Sequence, residues 1–116
     1  MTLSVLTYTR KPKTGEIEFD ACQNESESLA GPERWRTEVW SAEELKKVGA
    51  KYLPQLEKAD LYVEHDELNE FEEECNHLIA KIAVWANDDD GIKHRLINMK
   101  HAINKAKANK GGVFVG

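Results

Sequence analysis

The chain is poor in cysteine, with Cys22 and Cys75 the two examples in 116 residues. Small domains that depend on disulfides carry far more, so a disulfide framework is excluded. Cys22 falls on a predicted strand and Cys75 in the apolar stripe of a predicted helix, which reads both as small buried hydrophobes. Neither has the basic neighbours or helix N-terminus that would lower a thiol pKa, so a thiolate nucleophile is not expected. Long apolar runs are missing too. The longest, Leu78 to Ala86, is nine residues and is interrupted by Lys81, whereas a membrane span needs about 20. The segment Met1-Thr2-Leu3-Ser4-Val5 has neither the basic nor the apolar part of a secretory signal. A reduced, cytoplasmic, soluble protein is the expectation.

Other absences narrow the chemistry. The seven glycines are scattered, and Gly111-Gly112 follows a predicted helix where a phosphate-binding loop would precede one. No serine stands in a nucleophile elbow. Carboxylates are plentiful, but on a solvated helix face they lack the apolar enclosure that tunes a pKa for acid–base work. Catalysis therefore finds no support, and no cofactor is expected. A net charge of −5 and a pI near 5.4 give no global attraction to nucleic acid or an anionic membrane.

What is present is a segregation of charge. Asp60 to Glu74 holds eight carboxylates and no Lys or Arg; Ile92 to Lys110 holds six Lys or Arg and no carboxylate. Apolar residues run beneath both blocks at helical spacing, and Asn87-Asp88-Asp89-Asp90-Gly91 between them reads as a turn. The pattern is one antiparallel helical hairpin. Its first helix begins near His65 or Asp66 and carries Leu68, Phe71, Cys75, Leu78, Ile79, Ile82 and Trp85 down to Ala86. Its second carries Ile92, Leu96, Met99, Ile103 and Ala106, capped by the aspartates and stopped by a left-handed Gly111.

The rest of the chain reads as strands and short helices. Leu3 to Arg10 and Glu16 to Cys22 alternate around Lys11-Pro12-Lys13-Thr14-Gly15, which predicts a β-hairpin with Ile17, Phe19 and Ala21 facing inward. Gln23 to Glu33 reads as a loop and Arg34 to Trp40 as a third short strand. Ser41 and Glu44 form a capping box, with Trp40 and Leu45 as its hydrophobic staple. A helix from Ala42 would bury Leu45, Val48, Tyr52, Leu53 and Leu56 and break near Lys51, ahead of Pro54. Leu61-Tyr62-Val63 reads as an extended link, and Val113-Phe114-Val115 as a last strand pairing with the N-terminal hairpin. The fold class is α+β in a single domain, 1–116, with a small antiparallel sheet, three helices and a core of Phe19, Leu45, Tyr52, Phe71, Leu78, Ile82, Trp85, Leu96, Met99 and Ile103.

Three functional surfaces follow from these residues. The acidic helix offers Glu67, Glu70, Glu73 and Glu74 to a basic protein partner, unless Lys105, Lys107 and Lys110 of the second helix neutralise them. Trp35, between Arg34 and Arg36, is a candidate contact residue beside them. This is the character of a small non-catalytic interaction module, an inhibitor of the immunity-protein or antitoxin type; the likeness is one of composition, without a motif. The second surface is the basic helix, where Arg95, Lys100 and Lys107 could meet the phosphates of a nucleic acid. The third is a metal site from Glu74 and His77, three residues apart, with His101 at the same height on the second helix. The length leaves a homodimer open.

Overall fold

Alternation of side chains sets the first two elements. Thr2–Arg10 forms β1 and Ile17–Phe19 forms β2, antiparallel, with Tyr8 opposite Phe19 and Arg10 opposite Ile17. Gly15 takes the left-handed angle that the turn requires, φ +74. The structure, a computed structural model, describes residues 2–20, 29–85 and 89–116; the side chains at 2, 84, 85, 89 and 90 lie outside that description, as do Ala21, Cys22 and 86–88 of the expected hairpin turn.

The third strand lies earlier than expected. β3 is Leu29–Pro32, inside the segment read as loop, and it pairs with the start of β1. Arg34 to Trp40 contains instead a single helical turn, α1, Trp35–Glu38. The reason is a close approach. Gly31 sits at φ +100, and a Cβ there would stand 2.2 Å from the Trp35 ring, so the glycine that signals a loop is the seat of an indole. Trp35 then meets Trp40 edge to face at 5.8 Å.

The next helix is shorter than its apolar spacing suggests. α2 spans Glu43–Lys47, and its N-cap is Ala42 with no side-chain cap. The Ser41 hydroxyl donates instead to the Arg36 carbonyl at 2.6 Å, closing the turn before it. The chain leaves α2 through Gly49 at φ +97 and resumes as a 3₁₀ turn, Leu53–Glu57, with Pro54 in its first positions, where a missing N–H costs nothing. Leu45, Tyr52, Leu53 and Leu56 are all buried. Val48 is partly buried, and the expected break falls at Val48 and Gly49, ahead of Lys51.

β4, Leu61–Glu64, and β5, Gly112–Val115, complete an antiparallel sheet in the order β2-β1-β5-β4, with β3 beside β1. The C-terminal strand is thus a central one. Its path there needs two glycines. A Cβ on Gly111 would lie 2.0 Å from the Tyr8 carbonyl oxygen, and one on Gly112 would lie 2.4 Å from the Tyr8 ring. The left-handed stop falls one residue earlier than expected, on Lys110 at φ +56.

The helical hairpin covers one face of this sheet. α3 runs Glu67–Ala80, α4 is the turn Ile82–Trp85, and α5 runs Asp89–Asn109. The first helix is therefore interrupted at Lys81, whose N–H bonds the His77 carbonyl at 3.0 Å. Asp89 and Asp90 lie within α5 rather than ahead of it. Leu68, Phe71, Cys75 and Leu78 of α3 and Leu96, Met99, Ile103 and Ala106 of α5 pack on Leu3, Val5, Leu61, Val63, Val113 and Val115 of the sheet. Ile82 is partly buried against this core. Phe19 is not in it: 46% of its surface is exposed, because its face of the sheet is the one without helices. Among the described residues no helix is long and apolar enough to cross a membrane.

Candidate functional site

Burial of Leu68, Phe71, Cys75 and Leu78 fixes how α3 is rotated, and so where its acids point. Asp66, Glu70, Glu73 and His77, at steps of four and three, form one exposed stripe. The stripe runs beside the segment Gly49 to Tyr52, and between them lies an open cleft of about 290 Å³ lined by Ala50, Tyr52, Glu70, Glu73, Glu74 and His77 among others.

The four predicted contact acids have different fates here. Glu74 is spent on the fold: its carboxylate accepts the backbone N–H groups of Lys51, Tyr52 (2.9 Å) and Leu53 (3.0 Å). Three consecutive donors on one carboxylate pin the entry to the 3₁₀ turn against α3. Glu70 accepts the Tyr52 hydroxyl while remaining exposed. Burial, reinforced by Glu70, pushes the Tyr52 phenol well above its ordinary range. The side chains of Glu67 and Glu73 are exposed and form no ion pair or hydrogen bond among the described residues. Glu72, which had no assigned role, is the acid that meets the basic helix, through Lys107 at 2.8 Å.

Trp35 is half-buried between Gly31 and Trp40, so its ring serves packing. Its neighbour Arg36 ties α1 to the chain before β4, bonding Glu33, Asp60 and the carbonyl of Leu56. The Glu33 carboxylate holds the Arg36 pKa above its ordinary value.

The basic helix keeps Lys93 and Lys105 exposed, and Lys110 just past its end, while the three cations expected to meet phosphates are each engaged or partly buried. Lys107 holds Glu72, Lys100 is partly buried, and the Arg95 Nε is buried without a hydrogen-bond partner. The proposed metal ligands stand apart as well. Glu74 is occupied by backbone donors, while His77 and His101 are exposed on separate helices. Among the described residues no group of three His, Cys, Asp or Glu is placed to hold a metal ion. Cys75 is buried, and that burial pushes its thiol pKa up, away from nucleophilic reactivity.

The sequence reading missed the outer face of the sheet. Residues directly opposite one another share a face, so Leu6, Tyr8, Arg10, Phe19, Tyr62, Glu64, Gly112 and Phe114 all point away from the helices. Phe19 meets Phe114 at 5.3 Å and Phe114 meets Tyr62 at 5.1 Å, a row of rings across the strands. Tyr8 lies buried beneath them, in the space that Gly112 leaves. Arg10 and Glu64 cross above it in a forked ion pair, the Arg10 Nε and one terminal amine both donating to the carboxylate. The Arg10 hydrogen bonds hold the Glu64 pKa below its ordinary value. The signal was legible in the alternation of Tyr62 with buried Leu61 and Val63 and of Phe114 with buried Val113 and Val115, which sets both aromatics on the face away from the core.

Compared with protein-family models, curated proteins and solved structures, the chain matches none.

Proposed function

We propose that the chain is a small, non-catalytic protein-binding module that presents the acidic stripe of α3 to a basic surface on its partner. One observation carries this reading: α5 neutralises one acid of α3, Glu72, and leaves Glu67, Glu70 and Glu73 facing solvent. Had the two charge blocks been paired along the hairpin, the stripe would have had nothing to offer. Carboxylates fixed on a helix steer an oppositely charged partner during encounter and suppress like-charged competitors. The cleft beside the stripe adds relief to an otherwise flat helix face. An inhibitor that covers the basic active surface of another protein would have this form.

The test separates recognition from folding. Glu67 and Glu73 have no internal side-chain partner, but Glu67 opens α3 and complements its dipole, so Glu67→Gln with Glu73→Lys should leave the circular dichroism unchanged and lower the thermal midpoint only slightly. Affinity capture of a partner from cells producing the protein, quantified by mass spectrometry, should fall at least tenfold for that variant. It should also weaken as salt is raised. Capture that is unaffected by both changes refutes the acidic stripe as the contact.

A further inference from the structure

We infer that the cleft between α3 and the segment Gly49 to Tyr52 is a docking groove that takes an arginine side chain of the partner. The inference rests on the proposed function, since it names what the acidic stripe grips. The cleft measures about 290 Å³, at the lower end for a formed ligand site. It has room for one long side chain and not for a folded element. Its walls differ in kind. Ala50 and Tyr52 stand on one side, and Glu70, Glu73 and His77 of α3 on the other. The first wall suits an aliphatic stem or a flat cation, and the second supplies hydrogen-bond acceptors.

Charge sets the sign of the occupant. Glu74 is saturated by the backbone N–H groups of Lys51, Tyr52 and Leu53, and Glu70 gives one oxygen to the Tyr52 hydroxyl. The second oxygen of Glu70 and both of Glu73 accept no hydrogen bond among the described residues. An anionic side chain would be repelled there, and an apolar one would strip water from those carboxylates without replacing it.

The Tyr52 ring gives an indication independent of the acids. Lys51 Nζ lies 5.7 Å from the centroid of that ring and makes no ion pair among the described residues. The aromatic wall thus already receives a cation, from its own chain neighbour. A partner's cation would compete for that ring while reaching the carboxylates opposite. Arginine suits this better than lysine. Its planar guanidinium stacks on an aromatic face and points several N–H donors at more than one acceptor, whereas an ammonium is compact and more strongly hydrated.

NMR titration of the isotope-labelled protein at low salt with two blocked tripeptides, Gly-Arg-Gly and Gly-Lys-Gly, tests this. Amide shifts should gather on Ala50, Tyr52, Glu70, Glu73 and His77. The arginine peptide should saturate them at roughly 1–10 mM, because partly hydrated contacts are individually weak. The lysine peptide should bind about threefold more weakly or worse. Ala50→Leu narrows the cleft with every charge kept, and it should weaken the arginine peptide about fivefold or more. Glu73→Gln, at an exposed position without bonds, should also weaken it and leave the fold intact. Lys51→Met removes the internal competitor and should tighten binding. Equal affinity for the two peptides, shifts centred away from the cleft, or indifference to both Ala50→Leu and Glu73→Gln overturns the inference. Failure here is separable from failure of the proposed function. If partner capture collapses in the α3 charge variant but is undiminished by Ala50→Leu, the stripe is the contact and the cleft is not its anchor.

Discussion

Glu72 and Lys107 meet at 2.8 Å across the helical hairpin, and theirs is the ion pair that joins α3 to α5 among the described residues. The two charge blocks thus touch at a single point, with the remaining acids of α3 turned aside. Both side chains are partly exposed, so the pair contributes less than about 1 kcal/mol. Glu72→Lys should lower the urea midpoint slightly, and the swapped double variant, Glu72→Lys with Lys107→Glu, should recover it. A loss of several kcal/mol from either single variant would show that the blocks are coupled more widely than this contact.

Glu74 is a structural acid. Replacing it with Gln keeps the size but halves the acceptor capacity that serves Lys51, Tyr52 and Leu53. The cost should be about 2 kcal/mol in urea unfolding, since charge-assisted bonds are lost and part-buried donors are orphaned. Amide exchange at those three residues should rise by more than that at α5.

Stability should fall in alkali. Burial, with Glu64 adding to it, lifts the Tyr8 phenol from 10.0 to about 12, and Tyr52 is lifted further. The folded state therefore favours the protonated phenols. That stability is complete below pH 10 and disappears as pH rises from about 10 through 12. The Tyr8 hydroxyl has no hydrogen-bond partner among the described residues, so Tyr8→Phe should leave stability at pH 7 within about 1 kcal/mol of wild type. It should also remove part of the alkaline loss, as read from urea unfolding between pH 7 and 11.5.

Lys110 occupies a left-handed backbone position, φ +56, with an exposed side chain. Lys110→Gly should raise stability by about 0.5–1 kcal/mol by relieving that conformation. The thermal midpoint is the measurement, and a decrease would mean that the lysine stem contributes packing or charge that outweighs the strain.

Period and charge, local properties that survive in a one-dimensional string, determined the two hairpins, the buried stripes of the two long helices and the segregation of acids from bases. The 3.6-residue stripe of Leu68, Phe71, Cys75 and Leu78 is buried as its spacing requires, and so is that of Leu96, Met99, Ile103 and Ala106. Tertiary structure decided whatever depended on a partner far along the chain. Period two put Ile17 and Phe19 on one face of their strand, but the pairing of Phe19 with Tyr8 and the placement of the helices made that face the outer one and not the inner. Gly31 and Gly111 looked like loop and cap signals, and they are the points where the Trp35 ring and the Tyr8 carbonyl press against the backbone. The acids of α3 were countable from the sequence. Whether they met the basic helix turned on the rotation of one helix about its axis, which the packing of its apolar stripe against the sheet and α5 fixes.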